Sequence, residues 1–329
     1  MRRSAFTLIE LLVVIAIIAV LIGVLLPSLS GARNAGRGVV CQAHQRSIAT
    51  AMTMYASENK EFLVGPNTSG FQLQANKPYV EGRSSPVQDW DYISPLLGDS
   101  LNLPTDPLSK FQEICETRLR CPSNNTRYSS RFSGAALPME ARGSFPITLS
   151  YLTPAFFQLY PAGVVFVNGV RVEQVSNSEA IALPQGYIPR VDRVGPFPWK
   201  KAFAFEGARY FNGVGKGFDY STVTNAAGLS GSPQGNFSSR GPAFTGSGEP
   251  YLRDGTKPST TFKEVSLRHA DKMNVAMFDG HVERLDNAQS ADPSYFVPTR
   301  TRLVSPGSTW FFNLGPKDSP LMKPNAIID

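Results

Sequence analysis

The sequence predicts an α+β protein: one very long N-terminal helix packed on a head of antiparallel strands joined by long loops. Three observations carry this. Phe6 to Leu26 is a run of 21 residues in which Thr7 and Glu10 are the clearly polar ones. As a helix it is about 32 Å long, close to the thickness of a bilayer's hydrocarbon core. Helical spacing of apolar residues then continues past Pro27 to Glu58. Later, two dipeptides, Asn168-Gly169 and Asp279-Gly280, sit between apolar runs, as in two-residue hairpins whose turn positions must tolerate positive φ.

The first run is flanked by Arg2 and Arg3 before it and by Pro27, Ser28 and Ser30 after it. No later segment approaches its length, so the chain reads as a single membrane helix carrying a large exported remainder. The two arginines keep the N-terminus on the cytoplasmic side by the positive-inside rule. Glu10 is the oddity. A carboxylate at the centre of a membrane helix costs roughly 2.5 to 3.5 kcal/mol, so it sits near the interface or meets a positive group from another subunit.

Pro27 removes one backbone donor and loosens the helix. Leu29, Ala32, Val39, Val40, Ala43, Ile48, Ala51, Met52 and Tyr55 then recur at spacings of one buried stripe, ending near Glu58. Arg33, Arg37 and Arg46 fall on solvent or on the membrane surface. Gly31, Gly36 and Gly38 predict local melting between the two halves.

The head is rich in loops. The chain holds 28 Gly and 26 Pro with only 18% charged residues, yet 11% aromatics, which argues against disorder. Residues 62–104 read as loops with a turn over Asn67–Gly70 and a short helical turn in Trp90–Leu97. Lys110–Leu119 predicts a short amphipathic helix, ended by Cys121-Pro122-Ser123. Hairpins are predicted over Gly163–Val175 and Asn274–Leu285. In the second, a two-residue Asp279-Gly280 turn sets Phe278 opposite His281 and Met277 opposite Val282. Ala202–Phe211 is a weaker strand, Asn225–Ser259 a long surface excursion, and Trp310-Phe311-Phe312 a strand before a loose tail.

Catalysis is poorly supported. There is no Gly-x-Ser-x-Gly elbow, phosphate-binding Gly loop or His-Glu-x-x-His, and the chain has three histidines in all. His269, Asp271, Asp279 and His281 are candidate ligands for a divalent metal. A turn role for Asp279 and a cross-strand role for His281 account for two of them without one. The cysteines, Cys41, Cys115 and Cys121, are odd in number for an oxidising compartment. Cys115 lies on the apolar face of its short helix and is expected to stay buried and free.

Phe6-Thr7-Leu8-Ile9-Glu10-Leu11-Leu12-Val13-Val14-Ile15 resembles the N-terminal motif of type IV prepilins and type II secretion pseudopilins. The resemblance implies cleavage by prepilin peptidase between Ala5 and Phe6, methylation of the new amine, and a Glu10 that neutralises the amine of a neighbouring subunit. The residue before the cut is usually Gly in this family and is Ala5 here, also small. An ordinary signal anchor needs neither this motif nor an intramembrane Glu. His269, nine residues, then Asp279-Gly280-His281-Val282 is similar to a C-terminal motif found in a large group of bacterial prepilin-like proteins. The resemblance touches both ends of the chain.

It implies a pilin-like fold and this division: leader 1–5, transmembrane and assembly helix 6–27, amphipathic continuation 28–58, exported head 59–285 and C-terminal extension 286–329. It implies a Cys41–Cys121 disulfide spanning 79 intervening residues, stabilising by up to about 4 to 5 kcal/mol on chain-entropy grounds. Major pseudopilins bind calcium through loop oxygens, which would make Asp254, Asp271 or Asp279 its ligands here; otherwise no cofactor is expected. Loss of the leader leaves 30 Lys+Arg against 26 Asp+Glu, a net +4 without clustering, so no nucleic-acid partner is indicated. The implied role is a structural subunit, pseudopilin or minor pilin, of a type II secretion or type IV pilus-like filament. Its partners are prepilin peptidase, other pilin subunits and the bacterial inner membrane, with the head periplasmic. The alternative is a solitary membrane-anchored exported protein with a ligand- or metal-binding head.

Overall fold

The computed structural model describes residues 8–70, 81–87, 90–125, 128–129, 147–163, 165–167, 169–172, 174–175, 181–207, 211–212, 217–219, 237–239, 249–251, 262–304, 321, 323 and 325–329. Ala5, Phe6, Asn168, Asp254 and Trp310–Phe312 lie outside them.

Helix α1 runs unbroken over Leu8–Glu58, through Pro27 and through Gly31, Gly36 and Gly38. The expected melting is absent. Each added residue of an existing helix gains a backbone bond, so isolated glycines weaken it without ending it. The stop comes at Lys60 and Glu61, both with positive φ, where the Glu61 N–H closes on the Ala56 carbonyl.

The buried stripe of α1 is Cys41, Gln45, Ile48, Ala49, Met52 and Ala56. Leu29, Ala32, Val39, Val40 and Ala43 are exposed instead, because the buried face is chosen by partners across the sheet rather than by apolarity. Among the described residues two short helices follow, α2 (Ile93–Leu97) and α3 (Pro107–Glu113). Asp106 caps α3 by accepting the Ser109 N–H at 2.8 Å, and a π-helical turn, Ile114–Arg118, continues it. Phe111, Ile114, Cys115 and Leu119 are buried, and Cys115 is a free thiol.

The strands of the head include β1 (Tyr151–Pro154), β2 (Phe166–Val167), β3 (Val170–Arg171), β4 (Ile181–Ala182), β5 (Ala202–Glu206), β6 (Ser238–Ser239), β7 (Phe262–Ser266), β8 (Met273–Met277), β9 (Val282–Leu285) and β10 (Arg302–Leu303). The main sheet has the order β9-β8-β5-β1-β6, antiparallel across its first four strands, with β6 joining parallel to β1. This is an α+β, pilin-like arrangement: α1 lies on β8 and β5.

Residues of β5 and β8 are buried throughout, so both faces of the sheet centre are covered. Period-two alternation sorts them. Ala204, Glu206, Asn274 and Ala276 face α1, and the two alanines, paired across strands, let the helix approach. Phe203, Phe205 and Val275 face the other way into an aromatic core. There Phe203 meets Tyr92 and Phe278 edge-on, and Phe205 meets Phe296, at ring-centroid distances of 5.7, 5.4 and 5.6 Å.

The first predicted hairpin forms between β2 and β3, with Val167 opposite Val170 and Gly169 at φ 79°. It stands as a separate two-stranded ribbon. The second differs in its turn. The Met277 N–H donates to the His281 carbonyl and the Gly280 N–H to the Met277 carbonyl, so the loop is three residues, Phe278-Asp279-Gly280. Gly280 takes φ 92°, the left-handed position that closes such a loop. His281 therefore pairs with Met277, and Phe278 is released from the ladder into the core, where it meets Phe157 at 5.0 Å.

Within the predicted surface excursion, Phe237 is fully buried against Tyr92 and Phe111. Beyond Leu285 the chain returns to the head: β10 pairs with β4, and Phe296, Val297 and Ile328 are buried.

Candidate functional site

Two regions stand out, one exposed and one buried. The exposed one is the first half of α1. Every residue from Leu8 to Gly36 is exposed, large apolar side chains included, whereas the second half of the same helix is packed. Glu10 lies in its first turn. The helix is long and apolar enough to cross a membrane there. A solvent-facing apolar surface of this length has no physical rationale in water.

The buried region is where α1 meets the sheet, and polar side chains hold it. Gln45 donates from Nε2 to the Asn274 carbonyl at 2.8 Å, and Gln42 donates to Asn274 Oδ1 at 3.2 Å. Asn274 in turn donates from its backbone N–H to Glu206 Oε2 at 2.9 Å and from Nδ2 to Glu206 Oε1 at 3.0 Å. His269 Nε2 lies 2.9 Å from Glu206 Oε1 and 3.5 Å from Cys121 Sγ. Cys41 and Cys121 are joined by a disulfide with Cα atoms 5.3 Å apart. Tyr151, opposite Glu206 in the ladder, reaches α1 through its hydroxyl, 3.1 Å from His44 Nδ1. Burial lowers the His44 pKa and raises that of Tyr151 well above its usual value, so both groups are neutral and share one hydrogen bond.

The His-nine-Asp-Gly spacing acquires a geometric meaning here. His269 opens the turn that precedes β8 and Asp279-Gly280 closes the turn that follows it. The nine residues between are one tight turn, a five-residue strand and one loop residue; the motif measures the strand that lies across α1. The leading turn is left-handed at both central positions, with Ala270 at φ 51° and Asp271 at φ 56°, and the His269 N–H bonds the Lys272 carbonyl. Arg284 donates to the His269 carbonyl from β9.

The four residues considered as metal ligands are not brought together. His269 is buried with Glu206. Asp271 is exposed in its turn, and Asp279 and His281 pair with each other at the far end of β8, 2.6 Å apart. Among the described residues the compact group of ligand-type side chains is instead Cys41, Cys121, Glu206 and His269. Among the described residues, Asp271 and Asp279 belong to no group of three or more acidic, His or Cys side chains. Sequence reasoning missed Glu206, Asn274, Gln42 and Gln45. Two signals pointed at them: Gln45 interrupts an apolar helical stripe, and Glu206 ends Ala-Phe-Ala-Phe at an inward position.

Comparison with known proteins agrees with the exposed helix. The family described as "Prokaryotic N-terminal methylation motif" matches residues 1–26. The chain is 30% identical over 112 residues to type II secretion system core protein G of Aeromonas hydrophila, covering 34% of this chain and 76% of that protein. It is 44% identical over 61 residues to type IV wide pilus major component PilA4 of Thermus thermophilus, covering 18% of this chain and 47% of that protein. No solved structure matches the chain. With the methylation motif at its N-terminus and three quarters of the secretion protein covered, the chain belongs to the prepilin and pseudopilin family.

Proposed function

We propose that this protein is a structural, non-catalytic filament subunit, a pseudopilin or minor pilin, stored in the membrane through α1 until it polymerises. The observation that carries this reading is the division of one continuous helix into an exposed apolar half and a packed half. Lipid covers the first half before assembly, and the equivalent helices of other subunits cover it afterwards.

In this reading residues 1–5 are a leader removed by prepilin peptidase between Ala5 and Phe6. Residues 6–27 form the assembly segment, 28–58 its amphipathic continuation, 59–285 the head and 286–329 a C-terminal extension. Glu10 neutralises the Phe6 amine of a neighbouring subunit, which removes two charges from the apolar filament core together. Arg2 and Arg3 orient the precursor with the head outside the inner membrane. Related subunits are the partners; the head's large buried network keeps α1 rigidly presented to them.

The N-terminus of the protein isolated from membranes tests this. Mass spectrometry is expected to find N-methyl-Phe6, and Glu10→Ala to leave the subunit in the membrane but out of filaments. Retention of Met1 together with unaltered behaviour of Glu10→Ala would identify a lone anchor instead.

A further inference from the structure

We propose that, with its two cysteines reduced, the pocket between α1, β5 and the His269 turn is a closed four-ligand site for Zn2+, held by Cys41, Cys121, Glu206 and His269. The disulfide and the metal are then alternative occupants of one place. This goes beyond the filament role and does not depend on it.

The donor atoms all lie within 4.8 Å of one another, and all four residues are buried. Tetrahedral zinc with bonds of about 2.0 to 2.3 Å separates neighbouring donors by roughly 3.3 to 3.8 Å. His269 Nε2 already stands 2.9 Å from Glu206 Oε1 and 3.5 Å from Cys121 Sγ. Opening the S–S bond lets the sulfurs separate to that spacing without moving the backbone far. Two thiolates, an imidazole and a carboxylate are the ligand types zinc prefers.

The supporting groups are those that a metal site needs. Asn274 holds both oxygens of Glu206, and Gln42 holds Asn274. The Cys121 N–H is fixed on Ser150 Oγ at 3.0 Å. His269 is locked through its backbone N–H to Lys272 and its carbonyl to Arg284. These supporting bonds can stay in place while His269 Nε2 and Glu206 Oε1 part by about 0.4 Å and the sulfurs separate to admit an ion. Four protein ligands and full burial leave no open coordination position, so the metal is structural: it ties α1 to the sheet as the disulfide does.

Conversion between the two states balances with an organic disulfide as oxidant. The two metal-bound thiolates lose two electrons and form the Cys41–Cys121 bond. The oxidant takes those electrons, its own S–S bond breaks, and with two protons from water it leaves as two thiols. Zn2+ departs with its oxidation state unchanged.

Cobalt substitution in the full-length protein in detergent tests the proposal. The protein is reduced, its three thiols are counted, and Co2+ is added without oxygen. The expected result is one equivalent bound, with thiolate-to-cobalt charge-transfer bands in the near ultraviolet and tetrahedral bands in the visible. One equivalent of Zn2+ abolishes them, as does oxidation of the thiols. Glu206→Gln and His269→Ala should weaken binding by about tenfold or more, while Cys115→Ser and His281→Ala leave it unchanged. Fully reduced wild-type protein that shows no such bands overturns the proposal, whether it stays folded or unfolds without rescue by metal. Loss of the bands in Cys115→Ser overturns it too, because the ion would then sit elsewhere.

Discussion

Lys201 keeps its ammonium in the protein interior, 1% exposed, donating from Nζ to the Ser294 carbonyl at 2.9 Å. Burial lowers its pKa from 10.5 to about 8, against the partial opposition of Asp292. Between those two values the unfolded chain binds the proton that the folded protein has released, so folding is favoured as pH rises through that window. Denaturation at pH 7.5 and at pH 10 is therefore expected to favour the wild type over Lys201→Met progressively with pH, by about 3 kcal/mol across the full window. Equal pH dependence of the two proteins would refute it. Ala270 carries a different burden. A left-handed backbone costs a non-glycine residue about 1 kcal/mol or more, and Ala270 takes it at φ 51° to turn the chain back after His269. Ala270→Gly is expected to raise the denaturation midpoint by up to about 1 kcal/mol in stability; a drop would mean that the alanine methyl contributes packing beyond this strain.

Helix α1 is 51 residues, about 77 Å at the helical rise, and behaves as two elements joined without a break. Its first half is apolar and exposed. Its second half is anchored at three levels: the apolar stripe Ile48, Ala49, Met52 and Ala56, the amide bonds of Gln42 and Gln45 to Asn274, and the disulfide. The disulfide closes a segment with a sequence separation of 80. A Cys41→Ala/Cys121→Ala variant is expected to lose up to about 4 to 5 kcal/mol in denaturant melts run with chelator, and limited proteolysis should then cut first between α1 and the sheet. Unchanged melts would show that packing and the amide bonds alone suffice. The β8 hairpin makes a related point about elements. Asp279-Gly280 marked the turn correctly, but the loop takes Phe278 as a third residue because burying that ring against Phe157 and Phe203 outweighs one more ladder pair.

At the scale of the whole molecule, an exposed apolar half and a packed half share one helix, and the contact of the packed half with the sheet is polar as well as apolar. The sequence by itself determined the apolar run, its Glu10, the continuation to Glu58, both turn dipeptides and the short helix that buries Cys115. Each of these is written in spacing or turn chemistry within about 20 residues, which is why it is legible. The tertiary structure alone decided the rest. It chose the face of α1 that is buried, against the apolar count of Val39 and Val40. It gathered Glu206, Asn274, His269 and Cys121 from segments far apart in the chain around Cys41. Buried polar groups are recruited by the partners that can satisfy them, and those partners are adjacent only after the sheet has closed. No local period records that adjacency.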